Sequence, residues 1–122
     1  MTLDEKARRL LDVAADAAVS KLGINPVAIA VGERLVYSDA FLIVSASSHR
    51  QLKAVADEIV DRALEAGFKR PRIEGSEDAQ WILMDFGDVV VHALTDEQRE
   101  YYALERLWAD CPRIDLAVEV TQ

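Results

Sequence analysis

The sequence predicts an α/β domain of the α+β type, with a mixed sheet of about five strands and flanking helices. Apolar residues recur at helical spacing in three segments, short apolar and β-branched runs lie between them, and capping residues or glycines separate the segments. The predicted order is helix, strand, strand, helix, strand, strand, strand, helix. We expect residues 1–122 to form a single domain, because a chain of 122 residues closes one core. The tail after about residue 112 carries no clear element and is expected to be irregular.

The first helix is predicted from a start signal, an apolar stripe and a stop signal. Thr2 lies three residues before Glu5, which is the spacing of a capping box. Gly23 ends the helix and Pro26 prevents it from restarting. Between these signals the apolar face consists of Leu3, Ala7, Leu10, Leu11, Ala14, Ala18 and Leu22.

Three segments outside the later hairpin are interpreted as strands. The unbroken apolar run 27–31 is expected to be buried on both faces, and the run 41–44 is rich in aromatic and β-branched residues. Residues 69–73 are interpreted as a short edge strand, because Pro71 supplies no amide proton to a neighbouring strand.

The second helix is predicted to open at Ser48, which lies three residues before Gln51, and to close at Gly67. Its opposite face is charged, so the helix is expected to pack one side onto the sheet. The predicted buried face consists of Leu52, Val55, Ala56, Ile59 and Ala63.

Residues 81–94 predict a β-hairpin, because two apolar runs flank the Gly87-Asp88 pair. This turn pairs Phe86 with Val89, Met84 with Val91 and Ile82 with Ala93, on one wholly apolar face. The opposite face is mixed, and such a face is either covered or used for binding. It carries Trp81, Leu83, Asp85, Val90, His92 and Leu94.

The last helix is predicted to begin at Thr95, three residues before Gln98, and to run until Pro112. It is expected to shield the mixed face of the hairpin in part. Its apolar positions Tyr101, Leu104, Leu107 and Trp108 fall at helical spacing, and we interpret Trp108 and Leu104 as core residues. Trp81 is interpreted either as core or as an interface residue.

The negative charge of the chain is concentrated in one segment. The net charge is −8, and residues 74–110 contain ten acids against two bases. We expect this half of the fold to repel nucleic acid and to attract a basic surface, or simply to be a solvated acidic surface. The chain shows no apolar run of membrane-spanning length and no signal peptide, so it is expected to be cytoplasmic. The single cysteine, Cys111, excludes an internal disulfide and fits a reducing compartment.

The residues with chemical potential do not form a recognisable catalytic or metal site. His49, His92 and Cys111 lack the short spacing of metal ligands, and Cys111 has no local base. Asp85 and Asp88 could be read as a Mg²⁺ pair, but a turn separates them and residues of this kind commonly serve the turn. Asp85 and His92 share a face, where a structural hydrogen bond is favoured over a catalytic pair. We therefore expect no catalytic residue, no metal and no cofactor.

Three segments together resemble the RsfS/Iojap family. They are Ser38-Asp39-Ala40-Phe41-Leu42-Ile43-Val44-Ser45-Ala46-Ser47-Ser48-His49-Arg50-Gln51; Glu74-Gly75 with Trp81-Ile82-Leu83-Met84-Asp85-Phe86-Gly87-Asp88-Val89-Val90-Val91-His92; and Arg99-Glu100-Tyr101-Tyr102-Ala103-Leu104-Glu105-Arg106-Leu107-Trp108. Their order across nearly the whole chain makes the resemblance specific. Two positions depart from the usual pattern, since Gly32 stands where relatives have an Asp and Ala40 where they have an aromatic residue.

The resemblance implies a ribosomal silencing factor with a nucleotidyltransferase-like fold and no enzymatic activity. Such a protein binds the large ribosomal subunit through large-subunit ribosomal protein fourteen, blocks joining of the small subunit and lowers translation during starvation. From the charge and the hydropathy we also expect no direct nucleic-acid binding and no membrane contact, and the relatives suggest a possible homodimer. The partner-binding residues that the resemblance implies are Glu74, Trp81, Asp85, Phe86, Asp88, His92 and Tyr102.

Two other functions remain open from the sequence. One is an acidic adaptor for another basic protein, which the charge distribution would equally suit. The other is a vestigial nucleotidyltransferase-like enzyme, which would require its acids to converge.

Overall fold

The computed structural model describes residues 3–75 and 80–117 and is built around two central strands, β2 (Ala40–Ala46) and β5 (Val89–Thr95). The two strands run parallel, from Ala40 beside Val89 to Ala46 beside Thr95. Every residue of both strands is buried. Because both faces of this part of the sheet are covered, the strands are apolar almost throughout and do not alternate.

Four further strands extend the sheet on either side in the order β3-β4-β5-β2-β1-β6, all pairing antiparallel with their neighbours. They are β1 (Ile24–Ala30), β3 (Arg72–Glu74), β4 (Trp81–Asp85) and β6 (Arg113–Ile114). The strand β6 was not predicted. With it the sheet has six strands among the described residues, where about five were expected, and the tail after about residue 112 is not wholly irregular. A strand of two residues is too short to leave an alternating pattern in the sequence.

Two long helices, α1 (Glu5–Ser20) and α2 (His49–Glu65), pack on one face of the sheet. The predicted start of α2 is confirmed, because the Ser48 side chain accepts a hydrogen bond from the Gln51 N–H at 3.2 Å. All five residues of its predicted apolar face are buried. Gly67 follows the helix with a positive φ of 93°, a conformation that glycine adopts without strain.

The ends of α1 differ in detail from the prediction. Asp4 is the N-cap, because its side chain accepts from the Ala7 N–H at 3.0 Å; Thr2 lies outside the described residues. At the other end Leu22 takes the left-handed conformation and is 72% exposed, so it is not part of the apolar face. Gly23 then approaches the helix so closely that an added Cβ would lie 2.7 Å from the Ala18 oxygen.

The strand β1 begins earlier than predicted and contains Pro26. Its pairing with β2 shifts register between Ile24 and Val27, and Asn25 has a positive φ of 48°. The proline therefore lies at an irregularity in the strand, where a missing amide proton is tolerated. The predicted edge strand is confirmed at 72–74, directly after Pro71.

The predicted third helix is broken into α3 (Asp96–Tyr102) and α4 (Leu104–Leu107), with Ala103 between them in the left-handed conformation, φ 46°. The cap is as predicted, since Thr95 accepts from the Gln98 N–H at 3.4 Å. Leu104 is buried, as predicted, whereas Trp108 is half-buried and Tyr101 is 78% exposed. No helix in the described part of the chain is long and apolar enough to span a bilayer.

Candidate functional site

The hairpin of β4 and β5 presents Trp81, Leu83 and Asp85 on the sheet face opposite α1 and α2. The predicted register is confirmed: Ile82 pairs with Ala93 and Met84 with Val91. At the turn Gly87 has a φ of 95°, and its N–H donates to Asp85 Oδ1 at 2.8 Å. Asp85 therefore serves the turn, as one of the two sequence interpretations expected.

Trp81 is held in place by the buried His92. The Trp81 Nε1–H donates to His92 Nδ1 at 3.2 Å. Because Nδ1 accepts, the imidazole proton is on Nε2, which is buried and has no hydrogen-bond partner among the described residues. Burial lowers the pKa of His92 from 6.5 to about 4, so the ring is neutral at pH 7. The expected hydrogen bond between Asp85 and His92 does not form, since each side chain is engaged elsewhere.

The aromatic rings on this face form a continuous row from the interior to the surface. Neighbouring ring centroids are 4.7 to 5.9 Å apart, and the order is Trp108, Phe41, His92, Trp81, Tyr102, Tyr101. Trp81 is half-buried, whereas Tyr102 and Tyr101 are 49% and 78% exposed. We call the accessible end of this row, with the neighbouring Leu83, the aromatic edge: Trp81, Leu83, Tyr101 and Tyr102.

The break that directly follows Tyr102 is bridged by Arg99, a residue that sequence reasoning did not single out. Its guanidinium bridges the break between α3 and α4 through two 3.1 Å bonds to the Glu105 carboxylate. It also donates to the backbone oxygens of Ile24 and Asn25 at 3.0 and 2.8 Å and to Ser45 Oγ at 3.2 Å. The available signal in the sequence was that Arg99 is a base within a strongly acidic segment. Such a base commonly has a partner within the protein.

Exposed carboxylates lie on α3, the helix that carries Tyr101 and Tyr102, and on β3. Asp96, Glu97 and Glu100 are exposed on α3, whereas the side chain of Arg99 on the same helix is only 11% exposed and turned inward. Glu74 is exposed on β3 and pairs with Leu83, so both side chains lie on the face of Trp81. Part of the acidic excess is neutralised by ion pairs within the chain. Glu105 pairs with Arg99, and Asp110 pairs with Arg34 at 2.7 Å. Glu77 and Asp78 lie outside the described residues.

The seven residues predicted to bind a partner do not form one surface. Trp81, Tyr102 and Glu74 lie together on one sheet face, His92 lies buried behind Trp81, and Asp85 is in the turn. Phe86 instead packs against the helix-side core, and with Asp88 it lines a small cavity that also involves α1. The contact role of these residues stays a prediction, and in this arrangement His92 would act through Trp81.

The two positions that depart from the family pattern lie away from the aromatic edge. Ala40 is fully buried in the helix-side core, so the absent aromatic ring is a matter of packing. Gly32 lines a cavity of about 170 Å³ together with Arg34 and Cys111.

The groups that are exposed here suit contact with a macromolecule. Within residues 3–75 and 80–117, no group of three or more His, Cys, Asp or Glu side chains is placed to hold a metal ion. The Cys111 thiol is buried in the apolar cluster with Ile29 and Leu104. What reaches the surface is rings and carboxylates, and aromatic side chains are enriched among the anchors of protein interfaces.

The fold and the site thus define an α/β domain with a mixed sheet and an exposed surface of aromatic and acidic side chains. A family model described as "Ribosomal silencing factor during starvation" matches residues 4–122. The ribosomal silencing factor RsfS of Bacillus subtilis is 38% identical over 115 residues, which cover 94% of this chain and 98% of that protein. The chain belongs to the ribosomal silencing factor (RsfS) family.

Further similarities agree with this assignment. A crystal structure of a Chromobacterium violaceum protein matches with a TM-score of 0.80 at 28% identity, covering 92% of both chains. The mouse protein named "Mitochondrial assembly of ribosomal large subunit protein 1" is 35% identical over 83 residues, covering 66% of this chain and 36% of that protein. The Bacillus subtilis relative is named for silencing and the mouse relative for assembly of the ribosomal large subunit, and neither name describes a reaction.

Proposed function

We propose that this protein binds the large ribosomal subunit through large-subunit ribosomal protein fourteen and thereby blocks joining of the small subunit, which represses translation during starvation. The observation that carries the proposal is the accessible aromatic edge, two of whose rings are on α3 together with the exposed carboxylates of that helix. A basic ribosomal protein offers the complementary charge, which favours rapid and correctly oriented encounter. The names of the relatives support a ribosomal partner, and the name of the mouse protein supports the large subunit.

The mechanism requires occupancy and no catalyst. A protein that covers the surface shared by two subunits removes the free large subunit from the joining equilibrium by mass action. The hydrogen bond from Trp81 to His92 and the contact of Trp81 with Tyr102 orient the indole before binding. Less side-chain freedom is then lost on docking, so more of the contact energy appears as affinity.

Removal of either exposed ring is expected to weaken ribosome binding without unfolding the protein. Trp81→Ala and Tyr102→Ala should each reduce the affinity for purified large subunits by about 2 kcal/mol, or roughly 30-fold, as for other interface anchors. Co-sedimentation with large subunits measures this affinity. The matched control is Tyr37→Ala, because Tyr37 is 90% exposed in the loop at the other end of the strands.

The stage of action is tested by mixing the protein with separated subunits and with joined ribosomes. We expect it to sediment with large subunits, to be nearly absent from joined ribosomes, and to prevent joining when added first. Sedimentation with small subunits, or with neither particle, would contradict the proposal. The second result would favour an acidic adaptor for a different basic protein. Binding that the two ring variants leave intact would remove the aromatic edge from the interface.

A further inference from the structure

Five basic side chains gather at the corner of the molecule where the start of α1 meets the loop between α2 and β3. Two come from the first turns of the helix and three from the loop and the edge strand that follows it. Phe68 lies between the two segments: the Arg9 guanidinium lies 4.7 Å from its ring centroid and donates to the Ala66 oxygen at 2.9 Å. We call this group the basic corner: Lys6, Arg9, Lys69, Arg70 and Arg72.

The two segments of the basic corner are close in space. Lys6 and Lys69 line the same small cavity of about 80 Å³, whose other walls include Phe68 and Phe86. Arg72 pairs with Asp85 across the β3–β4 ladder, so the corner continues onto the edge of the sheet that bears Glu74 and Leu83. The basic corner therefore lies at the turn end of the hairpin and, through Arg72, reaches the sheet face that carries the aromatic edge.

The charges of the basic corner are not neutralised by ion pairs within the fold. Among the described residues Lys6, Lys69, Arg70 and Arg72 form no ion pair, and all four are exposed. By contrast, Arg34, Arg62 and Arg99 each pair with a carboxylate at 2.7 to 3.1 Å. Glu5, Glu74, Asp85 and Asp88 lie beside the corner, so its five bases exceed the neighbouring acids by one. A local positive potential therefore persists on a chain whose net charge is −8.

We propose that the basic corner is a second contact surface, which binds the ribose-phosphate backbone of ribosomal RNA while the aromatic edge holds a ribosomal protein. The inference rests on the proposed function, because a protein docked on the large subunit lies beside RNA phosphates. Lysine and arginine are the side chains that make phosphate contacts. Phe68 is only 7% exposed and offers no ring for base stacking, so the contact is to the backbone and independent of sequence. The expectation that the protein avoids nucleic acid came from its acidic half and does not extend to this corner.

Charge reversal tests the proposal on intact large subunits. Lys69→Glu with Arg70→Glu should lower the affinity for large subunits at least tenfold. The slope of log affinity against log salt should also become shallower by about 1 to 2, because each lost phosphate contact removes roughly 0.7 to 0.9 from that slope. The matched control is Lys21→Glu with Arg50→Glu, which makes the same charge change at exposed positions where α1 ends and α2 begins. The control should bind within about twofold of the unaltered protein.

The outcomes separate this inference from the proposed function. Failure of the unaltered protein to bind large subunits would overturn the proposed function. Normal binding by both double variants would overturn the basic corner alone. A photoreactive p-benzoylphenylalanine in place of Arg70 identifies the partner: a crosslink to RNA, removed by ribonuclease, supports the proposal, and a crosslink only to ribosomal protein overturns it. Thermal unfolding of each variant confirms that the exposed substitutions leave the fold intact.

Discussion

The contact between His92 and Trp81 shows how one buried side chain can set the orientation of an exposed one. The imidazole must be neutral to accept the Trp81 Nε1–H at Nδ1, and burial keeps it neutral. Phe41, whose ring centroid is 4.7 Å away, is one of the apolar groups that surround it. Protonation of His92 would place a charge among apolar groups and would remove the acceptor of the Trp81 Nε1–H. It therefore opposes both folding and the observed orientation of the Trp81 indole.

The stability of the protein is expected to fall between pH 6.5 and pH 4 because of His92. Its pKa is about 4 in the folded state and near 6.5 in the unfolded chain, so the unfolded chain binds the proton more tightly in this interval. Above pH 6.5 both states are neutral and the effect is absent. As the pH falls through the interval, the free energy of unfolding should decrease by up to about 3 kcal/mol. Urea unfolding at several pH values measures this decrease.

The variant His92→Asn isolates this contribution from the carboxylates that also titrate. Asparagine keeps an acceptor near the Nδ1 position but does not titrate. Its stability should therefore fall less steeply than that of the unaltered protein between pH 6.5 and pH 4. His49→Asn, at the exposed start of α2, serves as the control. A constant difference between His92→Asn and the unaltered protein over the whole interval would show that His92 does not titrate in this way.

At the scale of elements, the break between α3 and α4 determines where the aromatic edge lies. Ala103 ends α3 in the left-handed conformation, directly after Tyr102. A continuous helix would carry the following residues along a different path, and Glu105 would not face Arg99 as it does. The ion pair across the break and the bonds to the start of β1 hold this geometry.

Arg99→Gln is expected to destabilise the fold and to loosen the aromatic edge. The change leaves the Glu105 carboxylate and two backbone oxygens without their donor, at a cost of about 2 to 3 kcal/mol in the free energy of unfolding. Near-ultraviolet circular dichroism should also lose the signal of the packed Trp81 and Tyr102 rings. The control Arg106→Gln, at an exposed position of α4, should change stability by less than about 0.5 kcal/mol.

A second substitution distinguishes the ion pair from simple loss of packing. In the Arg99→Gln background, Glu105→Gln removes the unpaired carboxylate and should restore part of the lost stability. Additional destabilisation from the second change would argue that Glu105 acts through contacts other than its pairing with Arg99.

The sequence predicted those elements whose signals are local. The hairpin register followed from its turn and its alternation, and the caps of α2 and α3 followed from residue spacing. The break at Ala103 was missed because alanine does not favour the left-handed conformation. Long-range bonds from Arg99 to Ile24 and Asn25 accompany the break, and residue spacing does not show them.

The candidate site was predicted only in part, because residue spacing shows which face a side chain occupies but not which residues it contacts. Alternation assigned Trp81 and His92 to one face but could not show that they bond to each other. Asp85 was within reach of His92, yet the Gly87 amide lies closer along the chain and takes the carboxylate. Tyr101 fell at helical spacing with Leu104, but the break separates the two residues and leaves the tyrosine outside.

The aromatic edge lies on the sheet face opposite α1 and α2, whereas the basic corner includes Lys6 and Arg9 of α1 and reaches that face only through Arg72. The charge separation is not evident from the net charge. Arg99 is withdrawn from the surface of α3, which leaves that helix outwardly acidic, while the loop after α2 keeps its bases exposed. Two partners of opposite charge can therefore be contacted at separate parts of the surface.

The carboxylates of α3 are expected to speed encounter with the ribosome more than they slow release. Glu97→Gln with Glu100→Gln should lower the association rate with large subunits several-fold at low salt and leave the dissociation rate nearly unchanged. The difference should vanish as ionic strength rises. Stopped-flow mixing measures both rates. Asp61→Asn with Glu65→Gln makes the same charge change at exposed positions of α2, and an equal loss of rate from this control would contradict local steering.

The short strand β6 determines whether the sheet can recruit a foreign strand. At the edge of the sheet opposite β6, the strand β3 is only three residues long and bears Arg72 and Glu74, whose charges discourage pairing with another chain. At the near edge, Arg113 and Ile114 occupy the positions beside Ile29 and Ala28, and the Ala30 amide donates to the Pro112 oxygen at 2.8 Å. A chain cut after Pro112 would leave the backbone of Ala28 and Ile29 unpaired at an open sheet edge, where another chain could add a strand. Arg113 and Ile114 therefore prevent self-assembly into oligomers or aggregates.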